Sequence, residues 1–159
     1  ADVPLERIVI EITEHARVGS YADLQAVLTP LRERGVRIAV DDTGAGYSSL
    51  THVLQLRPSV IKIDRSLITD IANDAARRSL VTALVLLALD LGASVTGEGI
   101  ETASELQTLG VLGVDAGQGY LLARPSTETT RWRAWGSRNW LPPAASAPQD
   151  SPPVRPRLV

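Results

Sequence analysis

Four carboxylates with the chemistry of metal ligands recur along the chain, each beside a short apolar run: Glu11, Asp41, Asp42 and Glu98. If these runs are parallel strands, their carboxyl ends share one face of the fold, where α/β proteins build their sites. Four carboxylates gathered there would repel one another and could not all ionise in a dry pocket. Divalent cations remove this conflict, and an adjacent aspartate pair suits two ions, one of its carboxylates bridging them. The pattern predicts a two-metal site, which clamps a phosphoryl group between ions ~3.5–4 Å apart.

Two further residues extend this predicted site with other chemistry. Lys62 is the only lysine among 16 basic residues, so its compact ammonium is expected to do what arginine cannot, such as hold a water or a phosphate oxygen. Gln118 follows the last apolar run and offers a neutral donor and acceptor for metal-bound water. Glu98 itself is expected to bind metal, directly or through water, or to act as a base.

Simpler interpretations stay open for individual polar residues. Asp42 also suits a plain turn. Asp64 suits a surface ion pair with Arg65, an interaction of small energy. Glu14 and Glu101, taken alone, suit the N-terminal ends of helices, where negative charge faces the macrodipole favourably.

The elements that must position these side chains follow from the alternation of the sequence. Five apolar, β-branched runs predict strands near residues 7–10, 36–40, 60–63, 94–96 and 114–116. Between them, apolar residues at helical spacing predict helices that begin near Ser20, Ser48, Asp74 and either Thr102 or Ser104. Strands alternating with helices indicate βαβ units, and therefore a parallel sheet with helical crossovers.

Composition excludes several classes of function. The chain has 159 residues, 44% of them apolar, and a formal net charge of −2, so nothing favours a nucleic acid polymer as partner. It has no cysteine, and His15 and His52 lack ligand-like spacing, so a metal would be held by oxygen. Residues 43–46 (TGAG) lack the spacing of a nucleotide-binding loop. Proline makes up six of the residues in 142–159, which predicts an extended or disordered tail.

Five motifs in this order resemble those of EAL domains, the cyclic di-GMP phosphodiesterases. They are residues 11–14 (EITE), 41–50 (DDTGAGYSSL), 62–64 (KID), 97–101 (GEGIE) and 113–120 (GVDAGQGY). The resemblance covers residues 5–126. It implies a modified (β/α)8 TIM barrel with one antiparallel strand, of which this chain would form the C-terminal five-strand portion. The expected organisation is a partial EAL domain at 1–126, a terminal helix or extension at 127–141 and the tail at 142–159.

The resemblance also implies roles for particular residues. The implied reaction is hydrolysis of cyclic di-GMP to linear pGpG with two Mg²⁺ or Mn²⁺ ions. Lys62 would position the attacking water, Glu98 would be a ligand or base, and Gln118 would contact metal-bound water. The implied metal ligands are Glu11, Asp41, Asp42 and Glu98. Glu14 would brace the loop after the aspartate pair, and the implied substrate contacts are Asp64, Tyr120, Arg124 and Pro125.

The implied partners are cyclic di-GMP, upstream sensor or cyclase domains, and a second copy bound through the loop Thr43–Ser49. The implied location is cytoplasmic.

The chain departs from the family pattern in ways that bear on activity. The glutamate ligand that names the family and the asparagine ligand of the next strand belong before Glu11, so the fragment is expected to be inactive or weak alone. Thr43 replaces a usual phenylalanine, which is expected to loosen the second metal. The alternative is a non-catalytic module that binds cyclic di-GMP or a protein.

Overall fold

The computed structural model describes residues 3–13, 18–44, 48–128 and 130. Its strands form one parallel sheet in which each strand pairs with the next along the chain, in the order β1 to β5. The strands are β1 (Val9–Thr13), β2 (Arg37–Thr43), β3 (Val60–Ile63), β4 (Ser94–Gly97) and β5 (Ala116–Gly117). Sequential parallel pairing is the arrangement of a barrel wall, so the predicted five-strand portion of an α/β barrel is confirmed.

Helices connect the strands, and their ends carry the expected caps. They are α1 (Tyr21–Glu33), α2 (Ser48–Leu56), α3 (Arg65–Ile68), α4 (Ala75–Leu91) and α5 (Ala103–Val111). Ser20 accepts a hydrogen bond from the backbone N–H of Asp23, and Thr102 forms a reciprocal capping box with Glu105. Within the described residues, none of the helices is long and apolar enough to cross a membrane.

Several strands differ in their bounds from the prediction, and the second is Arg37–Thr43 rather than residues 36–40, so Asp41 and Asp42 lie within it. The first strand is Val9–Thr13 rather than residues 7–10, because pairing with Arg37–Asp41 selects the later residues while Leu5–Arg7 forms a 3₁₀ turn. Glu11 therefore lies within β1 instead of following it. The last strand is Ala116–Gly117 rather than residues 114–116.

The core lies between the sheet and the helices that cover it. Every side chain of β3 is buried, as expected for a central strand of a parallel sheet. Ile38, Val40, Ile61 and Val95 are at most 1% exposed. A well-packed central strand gives Lys62 a rigid base.

Thr43 at the end of β2 is the exception in this core. Its side chain is fully buried, and its Oγ1 has no hydrogen-bond partner among the described residues. Burying an unpaired hydroxyl costs about 1–3 kcal/mol. We expect Thr43→Val, which keeps the shape, to raise the free energy of unfolding by about 1 kcal/mol, measured by urea denaturation. The matched control is Thr29→Val, at an exposed position of α1, which removes a hydroxyl that donates to the carbonyl of Gln25. A Thr43→Val protein no more stable than wild type would contradict the prediction.

Candidate metal centre and substrate groove

One ammonium group joins three strands at the carboxyl end of the sheet. Lys62 Nζ lies 2.9 Å from Glu11 Oε2, 2.9 Å from Asp41 Oδ1 and 2.6 Å from Glu98 Oε1. These partners come from β1, β2 and the residue after β4, and the lysine side chain is only 10% exposed. Of the predicted site residues, these four are therefore in direct contact.

The geometry explains why a lysine stands here. An ammonium directs three donors from one atom, whereas the donors of a guanidinium lie in a plane. Burial lowers the pKa of Lys62, but hydrogen bonds to Glu98, Glu11 and Asp41 outweigh it and hold the pKa well above its ordinary value. Lys62 therefore stays cationic near neutral pH and can donate a hydrogen bond, but cannot accept a proton from water.

A β-bulge turns both aspartates toward this lysine. Val40 pairs with Ile61 and Thr43 with Ile63, so Asp41 and Asp42 together stand opposite Lys62. Neighbouring strand residues normally point to opposite faces, but Asp42 has a left-handed backbone with φ of 56°. The bulge thus brings two adjacent carboxylates to one site.

The resulting carboxylate cluster has the composition of a cation site. Oxygen atoms of Asp41, Asp42 and Glu98 lie within 4.8 Å of one another. An all-carboxylate donor set suits a hard divalent cation. Asp42 therefore combines the turn-like backbone of the simpler interpretation with the position expected of a ligand. Glu11 joins the cluster through Lys62.

Glu98 is a carboxylate of this cluster whose acidity is altered. Burial raises its pKa; the hydrogen bond from Lys62 opposes this rise and the charge of Asp41 reinforces it, leaving the pKa above its ordinary value. Gln118 Nε2 also donates to Glu98 Oε1 at 2.6 Å. The backbone N–H groups of both residues bond to neighbouring strands, Glu98 to Ile63 O and Gln118 to Gly97 O. A raised pKa suits Glu98 to proton transfer.

A groove of about 610 Å³ adjoins the cluster. Gln118 lines it as well as bonding to Glu98, so the groove and the cluster share a wall. Arg124 lies over the ring of Tyr120, with Cζ 4.4 Å from the ring centroid. Pro125 completes this end, so three of the four predicted substrate contacts line one surface.

The fourth, Asp64, has a structural task. Its side chain caps α3 by accepting a hydrogen bond from the N–H of Ser66 at 2.8 Å. Burial raises the pKa of Asp64, but hydrogen bonds from Ser66 and the backbone of Arg65 hold it below its ordinary value. Arg65, which the sequence suggested as its ion-pair partner, instead pairs with Glu101 at 2.9 Å.

Two charged groove residues were absent from the predicted site, Arg65 and Glu101. The sequence offered one weak signal for each: Arg65 directly follows the motif at residues 62–64, and Glu101 is the last residue of the motif at 97–101. Their juxtaposition depends on α3 and the segment after β4 meeting in space. No local pattern reports such a meeting.

Gly119 fixes how the last loop meets the segment after Glu98. A Cβ at Gly119 would lie 2.2 Å from both N and O of Ile100, which are backbone atoms that cannot move aside. We expect Gly119→Ala to lower the free energy of unfolding by about 3 kcal/mol and to separate Gln118 from Glu98. Urea denaturation measures this loss. Gly19→Ala is the control, because a Cβ there meets nothing within 4 Å; equal stability of the two variants would contradict the packing argument.

Comparison with known proteins decides the family. The sequence model described as "EAL domain" matches residues 1–125. The chain belongs to the EAL domain family. It is 39% identical over 124 residues to the cyclic di-GMP phosphodiesterase PA2567 of Pseudomonas aeruginosa, covering 78% of this chain and 21% of that protein. It is 36% identical over 118 residues to the bifunctional diguanylate cyclase/cyclic di-GMP phosphodiesterase MucR of the same organism, covering 74% of this chain and 17% of that protein.

A solved structure has the same fold as this EAL domain. The manganese/cyclic di-GMP complex of Klebsiella pneumoniae BlrP1 superimposes with a TM-score of 0.71 at 35% identity, covering 77% of this chain and 31% of that one. The chain spans only 17% to 21% of the length of the two relatives above. The family and the barrel-type fold inferred from the five motifs are confirmed.

Several expectations for this EAL domain fall outside the described residues. Glu14 and His15 are among them, as are residues 45–47 of the expected dimerisation loop. So are almost all of 127–141 and the whole of 142–159. The bracing role of Glu14 and the dimer contact stay predictions. His52 is buried, and its Nδ1 lies 2.9 Å from the Tyr21 hydroxyl, in keeping with the structural role expected of it.

Proposed function

We propose that this EAL domain carries the chemistry of a metal-dependent phosphodiesterase that hydrolyses cyclic di-GMP to pGpG. The observation that carries the proposal is the arrangement around Lys62, where one buried ammonium contacts three carboxylates, from β1, from β2 and from the residue after β4. The relatives named for this activity, and the BlrP1 complex with manganese and cyclic di-GMP, support it.

Divalent cations, Mg²⁺ or Mn²⁺, fit the carboxylate cluster. Glu11 and Asp41 would hold one ion and Asp42 the second, and we assign Glu98 to proton transfer. When bound, the ions would supply positive charge to the phosphate oxygens of the substrate. This assignment gives a role to Asp42, which lies in the same cluster as the carboxylates around Lys62.

The residues of the chain supply the proton chemistry. Lys62 stays protonated, and once the carboxylates hold metal it would turn one of its three N–H donors from them to the attacking water and orient it. Glu98, with its raised pKa, accepts a proton from that water as the water oxygen attacks phosphorus. One P–O bond to the ribose breaks, and the released ribose oxygen takes up a proton. Gln118 fixes the Glu98 carboxylate through its 2.6 Å hydrogen bond.

The groove beside the cluster receives the rest of the substrate. We assign Tyr120, Arg124 and Pro125 to a guanine base, since a ring and a guanidinium offer flat surfaces on which a base stacks. Asp64 contributes by capping the helix next to Lys62. Upstream sensor or cyclase domains are the proposed partners, in line with relatives about five times longer than the aligned segment.

A hydrolysis assay tests the proposal. The chain is assayed alone and as a chimaera in which the N-terminal part of the EAL domain of PA2567 precedes residue 1, with cyclic di-GMP and Mn²⁺, and pGpG is followed by chromatography. We expect the chimaera to be active and the chain alone to be weak or inactive. A chimaera that binds cyclic di-GMP without hydrolysing it would favour the non-catalytic alternative, and one that does neither would overturn the proposal.

A further inference from the structure

Arg65 extends into the groove next to the carboxylate cluster. It is the first residue of α3, and its side chain is 56% exposed although it lies in a concave surface. Arginine is suited to phosphate because its planar donors match two oxygens at once. An exposed guanidinium inside a groove is therefore a candidate ligand contact.

Two contacts set the position of this guanidinium. The stem of Arg65 lies across Gly99, where an added Cβ would be 2.7–2.8 Å from three of its side-chain carbons. One terminal nitrogen then pairs with Glu101 Oε2 at 2.9 Å. Gly99 has φ of +66°, so the close approach and the backbone conformation both favour glycine there. Arg65 is thus aimed by its surroundings.

The contact with Glu101 leaves most of the binding capacity of Arg65 unused. A guanidinium has five N–H donors, and one carboxylate oxygen engages only part of them. An ion pair as exposed as this one contributes about 0–1 kcal/mol. Glu101 therefore orients the guanidinium without stabilising the pair strongly enough to exclude a second anion.

The charge of the substrate supplies that second anion. Cyclic di-GMP carries two phosphates in one ring, and the metal cluster can neutralise the one being cleaved. The other phosphate must lie away from the cluster, against a surface that offers positive charge. Two arginines line the groove, and one face of Arg124 lies on Tyr120, where both are assigned to the base. Arg65 is the one whose position is set by an orienting carboxylate.

We propose that Arg65 binds the non-reacting phosphate of the cyclic dinucleotide, and that Glu101 is a positioning residue for it. This inference rests on the proposed function, since the substrate is taken from there. It predicts selectivity for ligands with two phosphates. A ligand with a single phosphate would bind at the cluster and make no use of Arg65.

Calorimetric titration of the whole chain tests this contact. Ca²⁺ replaces Mn²⁺, because it binds the same oxygen ligands, and the recovered ligand is checked chromatographically for pGpG. We expect Arg65→Gln to weaken cyclic di-GMP binding about tenfold or more, in line with a charge-assisted hydrogen bond, and Arg65→Lys to weaken it less. Binding of GMP is expected to change less than about twofold, since its one phosphate needs only the cluster.

Arg37→Gln is the charge-matched control, because Arg37 is exposed at the opposite end of β2. It should bind cyclic di-GMP like wild type. The Arg65→Gln and Glu101→Gln changes should be less than additive, since Glu101 acts through Arg65. Equal affinity of Arg65→Gln and wild type for cyclic di-GMP, or an equal loss for GMP, would overturn the inference and leave the proposed function intact. If the wild-type chain alone does not bind cyclic di-GMP, the same variants are compared in the chimaera with the N-terminal part of the PA2567 domain, and a chimaera that binds no cyclic di-GMP would count against the proposed function.

Discussion

Replacing Lys62 with methionine will lower the free energy of unfolding by about 3 kcal/mol at pH 7, because removing one partner of a buried ion network strands the remaining charges. The ammonium contacts Glu11, Asp41 and Glu98, and two of these carboxylates are largely buried. Methionine has similar length but no charge, so the loss isolates the electrostatic term. Urea denaturation of the chain at several pH values measures it.

The pH dependence of this loss has a definite sign. Without the ammonium, Glu98 loses the hydrogen bond that opposes the rise of its pKa, so its folded-state pKa lies further above its unfolded value of about 4. Stability is then greatest below pH 4 and is lost as pH rises through the raised pKa of Glu98, so the deficit of Lys62→Met should shrink as the solution is acidified. In the wild type, the raised pKa of Lys62 keeps its own contribution intact below 10.5 and removes it at higher pH.

Lys62→Arg is the matched variant for this prediction. It keeps the positive charge, so it should recover part of the stability, but its planar donors cannot reach three carboxylates as one ammonium does. A deficit in Lys62→Met that is the same at pH 4 and pH 7 would show that the loss comes from packing and not from charge.

Glu98→Gln will reduce kcat for cyclic di-GMP about 10³-fold in the active chimaera, the size expected for loss of a general base. The substitution keeps the shape and the hydrogen-bonding capacity toward Lys62 while removing the group that takes the proton. The pH profile gives a second readout. In the wild type, kcat should fall as pH drops through the raised pKa of Glu98, which lies above its ordinary value of 4.5. The variant should lack this acidic limb.

Glu33→Gln, at the exposed end of α1, serves as the control and should leave kcat and its pH profile unchanged. If Glu98→Gln retains both the rate and the acidic limb, another residue accepts the proton. If it loses the rate but keeps the limb, Glu98 serves as a metal ligand and the limb belongs to another group.

Local sequence was enough to predict the architecture. Alternating apolar strands and amphipathic helices specify a parallel sheet, because each periodicity reports which face of an element is buried. The start of a helix near Thr102 was readable for the same reason, although the capping box that Thr102 forms with Glu105 was not predicted. The type of each element and the start of a helix depend on residues only a few positions apart, so a short stretch of sequence is enough to predict them.

The strand ends were harder to predict. The first strand begins at Val9 because Arg37 and its successors are its partners, and a distant partner leaves no mark in the local pattern. The bulge at Asp41 and Asp42 is a similar case. In a bulge two residues of one strand stand opposite one residue of its partner, here Lys62. Only the register of the two strands shows this, and the register depends on a distant segment.

The sequence by itself determined which side chains could do the chemistry, since residue type fixes charge and motif order placed them at successive strand ends. Tertiary structure alone decided how they meet. It put Lys62 within 2.9 Å of three carboxylates and laid Arg65 across Gly99 to reach Glu101. These contacts join residues 21 to 51 positions apart, and their geometry depends on the pairing of strands and the packing of loops. Contact across such distances is a property of the folded chain and not of any segment of it.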